Sequence, residues 1–305
     1  MGDGDARGHR ARRPLVDDPA RLAGVAALGV DETAYLAATS TRGTEFATGL
    51  VDLTRPAGTP ARLLDVVPGR SGAVLSSWLS SRDTDWRTSV QVAALDPFRG
   101  YATALRTQLP GAVRVLDAFH VVKLGFDALD QVRRRVQQET FGHRGRAGDP
   151  LYGIRRVLRR GHDHDNDISW TRLLRGLDLG DPNGEVAAAW IAAQDLRLLY
   201  RHRDPQRAEQ AFYRWLKFCA DSRVPELHRL ARTLDSWRDE LLARFRVGPV
   251  SNGPTEAVNL LIKKIKRVGH GFRNFANYRL RLLLHCGTAW DAPGTTMLRG
   301  RLHAS

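Results

Sequence analysis

Ser89-Val90-Gln91-Val92-Ala93-Ala94-Leu95-Asp96-Pro97 is a short apolar run that stops at an acid and a proline. Its length, its valines and its lack of helical spacing predict a buried strand. Asp96 then falls at the carboxyl end, where open α/β sheets place ligands. Toward the N-terminus, Val25 to Ala37, Glu45 to Leu53 and Ala61 to Val67 are β-type runs separated by turn residues, which predicts a three-strand meander. Ser71 to Ser80 reads as a helix before the buried strand. Downstream come a helix through Ala104 and a second strand, Val113-Arg114-Val115-Leu116, followed at once by Asp117. Hairpin strands and then a strand-helix-strand unit specify an α/β chain, a mixed sheet with helices on its faces.

Beyond Asp117 the pattern is helical. Val122, Phe126, Leu129, Val132 and Val136 form a stripe at helical spacing, with Arg133 to Arg135 expected on a solvated face. Polar loops are expected at about 141 to 149 and 161 to 168, and helices over roughly 184 to 200, 205 to 221 and 224 to 246. His162-Asp163-His164-Asp165-Asn166-Asp167 has metal-ligand residue types, but without flanking periodicity it reads as a solvated loop. Trp190, Trp215 and Trp237 sit in helical patterns and are expected in the core.

The 305 residues carry Lys+Arg 47 against Asp+Glu 33, a formal charge of +14. Such a balance calls for a polyanionic partner, most simply nucleic acid. Two cysteines, Cys219 and Cys286, exclude a disulfide framework and a cysteine-based zinc site. With neither an apolar run of about 18 residues nor a signal-peptide pattern, a soluble protein without membrane contact is expected.

Ser251-Asn252-Gly253-Pro254-Thr255-Glu256-Ala257-Val258-Asn259 has turn residues ahead of a helix start, with Glu256 in the first turn and Asn259 three residues on, along the same face. Seven Lys/Arg and no Asp/Glu follow between residues 257 and 290. A Glu there also serves as an ordinary dipole-compensating residue. Asp31 lies inside the first apolar strand, where an unpaired charge is costly. Asp96 and Asp117 each follow a strand and each could simply cap what comes next. His120 is close enough to Asp117 to share a site.

Asp31, Asp96 and Glu256, separated by 65 and 160 residues, resemble in their order the acids of the ribonuclease-H-like core of DDE transposases. The motifs resemble those of the ISL-three family of bacterial insertion-sequence transposases. They are Gly29-Val30-Asp31-Glu32, Asp96-Pro97-Phe98-Arg99-Gly100-Tyr101, Asp117-Ala118-Phe119-His120-Val121-Val122, and the 251 to 259 segment continuing to Gly271-Phe272-Arg273-Asn274-Phe275. The resemblance implies a ribonuclease-H-like mixed sheet and a metal-dependent DNA transposase. Asp31, Asp96 and Glu256 would hold two Mg²⁺ ions, replaceable by Mn²⁺, with Asp117, His120, Asn252 and Asn259 in support. Lys263, Lys264, Lys266, Arg267, Arg273 and Asn274 would face double-stranded DNA, both transposon ends and target. It further implies a flexible leader over 1–26, a first part of the core over 27–140, a helical insertion over 141–248 and a C-terminal part over 249–305. A homodimer or higher assembly on DNA, in the bacterial cytoplasm at the nucleoid, completes the expectation.

Relatives usually carry an N-terminal zinc-binding segment and a helix-turn-helix, and here the leader before Asp31 has no cysteine, so either a truncated copy or end recognition supplied in another way is expected. Two other readings stay open on sequence: a catalytically idle DNA-binding remnant or regulator, and a nuclease of the same fold that performs no strand transfer.

Overall fold

The computed structural model of the chain describes residues 14–54, 61–164, 166–248 and 253–288. In chain order it contains strands β1 (Ala27–Leu36), β2 (Glu45–Asp52) and β3 (Arg62–Pro68), helices α1 (Gly72–Ser80) and α2 (Thr84–Ser89), strand β4 (Val92–Leu95), helix α3 (Arg99–Gln108) and strand β5 (Val113–Leu116). Helices follow: α4 (Ala118–Phe141), α5 (Pro150–Ile154), α6 (Asp167–Gly180), α7 (Glu185–Leu199), α8 (Pro205–Asp221), α9 (Pro225–Asp235), α10 (Arg238–Val247), α11 (Gly253–Val268) and α12 (Phe275–Cys286). The strands make a mixed sheet flanked by helices, an α/β chain as its sequence pattern specifies. The chain divides into two compact units, one from the segments on either side of 90–252 and the other from that stretch itself.

The first unit holds the meander. β1 and β2 pair antiparallel, with Leu28 opposite Asp52 and Asp31 opposite Gly49, and β2 pairs antiparallel with β3, with Leu50 opposite Asp65 and Val51 opposite Leu63. That register leaves Leu64 without an opposite residue, a bulge that lets Leu63 and Val66, three apart, share one core. Arg21 reads the bulge, donating to the carbonyls of Leu63 (3.0 Å) and Leu64 (2.7 Å). Val258 and Ile262 of α11 and Tyr278, Leu282 and Leu283 of α12 bury into the same cluster, each side chain contributing about 1.5–3 kcal/mol.

The α11–α12 connection explains a motif. The N–H of Gly271 bonds the carbonyl of Lys266 and that of His270 bonds Arg267, a Schellman closure with His270 left-handed at φ 51°. A Cβ on Gly269 would meet the Phe272 ring at 2.8 Å, so any other residue there would have to displace that ring. Asn274 then caps α12, accepting from the N–H of Asn277 at 3.0 Å.

In the second unit β4 and β5 run parallel, Val92 opposite Val113 through Leu95 opposite Leu116. α4 is capped by Asp117 and ended by Gly142 in the left-handed region. Gly125 lets α7 approach closely, since a Cβ there would stand 3.1 Å from Leu196.

Several expectations are corrected. The strand expected from Ser89 is confined to Val92–Leu95, and α2 precedes it, started by Asp83, whose carboxylate accepts from the N–H of Trp86 at 2.6 Å. At the start of α4 the buried face runs through Val121 and Gly125, while Val122 and Phe126 are half-buried. Arg133 is buried against Asp130 and Gln137, and Arg135 meets Glu139, Glu185 and Glu226, so only Arg134 of the three is the exposed residue expected. The helix expected over 224 to 246 breaks at Ser236-Trp237, where Trp237 turns inward beneath the guanidinium of Arg99 (3.9 Å). The 161 to 168 segment is anchored, with Asp163 paired to both Arg197 and Arg201. Helices α5 and α6 fall within the stretch expected to be helical, where the sequence pattern gives them no bounds. Trp215 and Trp237 are core residues, and Trp190 is half-buried.

One buried carboxylate sets a test of the first unit. Asp65 accepts from Trp78 Nε1 (2.9 Å) and from Arg279 Nε (2.6 Å). Arg279→Leu should lower unfolding free energy by about 1–3 kcal/mol, because it removes the cationic donor from a buried carboxylate that keeps only the neutral N–H groups of Trp78 and Val66. Urea denaturation checks this, and an unchanged midpoint would remove the pair from the stabilising set.

Candidate active site

Asp31 stands in the middle of β1 and is only 7% exposed. Its Oδ1 accepts from the N–H of Glu32 at 2.6 Å, and its Oδ2 accepts from the side-chain amide of Asn259, itself 8% exposed. Two donors replace the water that burial removes. Asn259 lies on α11 one turn after Glu256, which is half-buried in the first turn of that helix.

A second polar tie fixes the direction of α11. Lys266 Nζ donates to the carbonyl of Ala34 at 2.9 Å. From Asp31 to Ala34 the strand advances by roughly 10 Å, and from Asn259 to Lys266 the helix advances by nearly the same distance, about 10.5 Å. The two ties therefore match when helix and strand run alongside in the same direction, with Val258 and Ile262 buried between. Asp31 and Glu256 thus belong to neighbouring elements of one unit.

The second unit holds a separate polar cluster at the ends of β4 and β5. Asp117, 4% exposed, caps α4 by accepting from the N–H of His120 at 3.3 Å. The imidazole Nδ1 of His120 lies 2.9 Å from Asp117 Oδ2 and 2.8 Å from Asp96 Oδ1. Asp96 Oδ1 is buried and has no partner among the described residues other than this imidazole. Burial by itself would push the imidazole toward its neutral form, but bonding and charge from Asp117 and Asp96 outweigh it and hold the pKa up at about 10. At neutral pH an imidazolium therefore sits between two carboxylates. Ligand atoms of Asp96, Asp117 and His120 all lie within 4.8 Å of one another, the spacing of a cation site. The pairing of His120 with Asp96 has no sequence signal, since a helix and a strand separate them.

The remaining expected residues divide by exposure. Lys263, Lys264, Arg267 and Arg273 are exposed, whereas Lys266 is half-buried on Ala34 and Asn274 is occupied in capping α12. Asn252 lies outside the described residues.

The His120 cluster gives a pH test. With a folded value near 10 against about 6.5 unfolded, His120 stabilises the fold fully below pH 6.5, and that contribution disappears as pH rises toward 10. Thermal melts in chelator should show wild type more stable than His120→Gln at pH 6.5, with the gap closing by pH 10. A gap independent of pH would refute the imidazolium assignment.

Residues 28–282 match the DDE transposase family model of ISL3 type, described as transposase. The chain is 28% identical over 243 residues to the transposase for insertion sequence element IS1001 of Bordetella parapertussis, covering 79% of this chain and 57% of that protein. It is 26% identical over 275 residues to the transposase for insertion sequence element IS1557 of Mycobacterium tuberculosis, covering 83% of this chain and 58% of the relative. The chain thus spans a little over half the length of the curated relatives it matches. Among solved structures it is similar to the Drosophila P element transposase strand transfer complex, with TM-score 0.43 and 10% identity over 90% of this chain and 80% of that one.

Proposed function

Because the chain belongs to the ISL3 family of transposases, we propose that it cleaves DNA at the ends of an insertion sequence and joins the freed ends to a target, with Asp31, Asp96 and Glu256 as the reacting acids. In this reading water attacks a phosphodiester in line and a P–O3′ bond breaks to leave a 3′-hydroxyl. That hydroxyl loses its proton as it attacks a target phosphorus, and the target's own P–O3′ bond breaks to leave a second 3′-hydroxyl. The observation that carries the proposal is the buried bond from Asn259 to Asp31, which brings the helix of Glu256 to the strand of Asp31.

The donor set suits a hard divalent cation. It is built of carboxylate oxygens, and Asp96 Oδ1 is buried with no partner among the described residues other than the His120 imidazole. Two Mg²⁺ ions, or Mn²⁺ in their place, held by Asp31, Asp96 and Glu256 would activate the attacking hydroxyl and stabilise the leaving oxygen. The protein's own groups do the positioning. Asn259 and the Glu32 N–H fix both oxygens of Asp31. His120, held by Asp117, keeps Asp96 in place and offsets its charge until a cation does so. The exposed Lys263, Lys264 and Arg267 on α11 and Arg273 beyond it would take the DNA phosphates, and the 141–248 stretch is read as a helical insertion within this core.

Supercoiled plasmid incubated with purified protein and Mg²⁺ or Mn²⁺ tests the chemistry. Asp31→Asn, Asp96→Asn and Glu256→Gln should each remove cleavage while DNA affinity holds or rises, and Asn259→Ala should lower cleavage by about 10–100-fold, as removal of a ligand-orienting partner does. Full activity in any one acid variant would strike that residue from the site. Joining of a labelled 3′ end to fresh DNA separates strand transfer from hydrolysis.

Lys263→Gln with Lys264→Gln should weaken DNA binding equally across sequences and reduce the log–log salt slope by roughly 0.9 for each phosphate no longer neutralised. An unchanged slope would take α11 out of the DNA path.

A further inference from the structure

The helical part of the second unit holds a cavity of about 410 Å³ that the strand-cleavage reading leaves unused. It lies where α5 and the turns after it meet the start of α6, and Arg155, Arg156, Arg160 and Arg172 line it, with Val157 and Ser169. Two of the guanidinium groups are held in place by backbone. Arg155 donates to the carbonyl of Tyr152 at 2.7 Å and lies 3.8 Å over its ring, and Arg172 donates to the carbonyl of Gly153 at 2.8 Å. Each such bond uses one N–H of five. Arg156 and Arg160 are exposed.

Nearby arginines show how this chain ordinarily balances such a charge. Arg159 pairs with Asp127 at 3.3 Å, and Arg197 and Arg201 both pair with Asp163. Among the described residues, none of the four cavity arginines has a carboxylate within ion-pair distance. Four like charges around one hollow repel one another, and an anion entering it relieves that repulsion. Guanidinium forks match the paired oxygens of a phosphate, and Ser169 adds a hydroxyl donor. The volume falls in the range of small-ligand sites. We propose that this cavity is a binding site for phosphate groups, carried either by a free phosphate compound or by a nucleic-acid backbone. The inference stands apart from the carboxylate chemistry, and no residue in it is assigned to cleavage.

The test uses the full chain. Sodium triphosphate is titrated by calorimetry, and a short labelled duplex is titrated by fluorescence anisotropy at several salt concentrations. Arg156→Gln with Arg160→Gln is compared with Arg203→Gln and Arg207→Gln, exposed residues of the same unit whose replacement removes the same charge. Neither cavity arginine tested has a backbone tie, so melting temperatures should agree with wild type. Arg156→Lys with Arg160→Lys, which keeps the charge and removes the fork, serves as a second variant. Triphosphate should bind wild type and the control pair within about twofold, bind the glutamine cavity pair about tenfold or more weaker, and bind the lysine pair in between. If duplex affinity and its salt slope then change as in the control, the ligand is a free phosphate compound. If both fall beyond the control and duplex competes with triphosphate, the cavity takes a backbone. Equal behaviour of cavity and control pairs with both probes would overturn the proposal.

Discussion

A carboxylate inside a strand is the constraint from which the first unit is arranged. Asp31 is surrounded by apolar strand residues, and removing its charge from water is tolerable only with donors at both oxygens. One comes from its own backbone neighbour, and the other from Asn259, 228 residues away in sequence. A register slip of one residue in β1 would turn Asp31 to the opposite face and leave it unpaired, so the polar contact specifies the strand pairing as firmly as the apolar core does. Lys266 on Ala34 repeats the device farther along the same helix. Packing and polar geometry then select the same arrangement.

What the sequence discloses follows the range of the interactions involved. Strand β5 and the three meander strands show in local alternation and turn chemistry, and the structure ends them within a residue or two of the expected positions. Asp117 as a cap and Asp96 at a strand end are equally local. The misses arise where distant contact decides. Nothing near Arg135 announces that Glu185 and Glu226, from other helices, will meet it. Arg99 stacking on Trp237 marks the break in the expected long helix, from 138 residues away. α2 is too short for periodicity to register. At the candidate site, Asp31, Asp96, Glu256, Asp117 and His120 stand out in sequence as residue types, but the bond from Asn259 to Asp31 and the contact of His120 with Asp96 are visible only in three dimensions.

The distribution of arginine changes the meaning of the net charge. Of the 47 Lys and Arg, several are internal fasteners: Arg21 on the β3 bulge, Arg279 on Asp65, Arg135 among three glutamates, Arg99 on Trp237. A delocalised planar cation is suited to such places because it stacks and donates in several directions at once. The cations left for a polyanion are therefore fewer than composition suggests, and they include Lys263, Lys264 and Arg267 on α11 and Arg156 and Arg160 at the hollow beside α6.

The first unit is discontinuous, its core built from residues before 90 and after 252. Synthesis proceeds from the N-terminus, so the meander leaves the ribosome long before Val258, Ile262 and Tyr278 exist to cover it. Residues 90–252 form an uninterrupted stretch whose contacts can close as it emerges, whereas the sheet face of the meander must wait through that whole interval. Tyr35, Val51, Leu63 and Val66 thus remain an exposed apolar surface on the nascent chain until the last helices arrive. The length of residues 90–252, and not the stability of the finished core, sets how long that apolar face stays uncovered during synthesis.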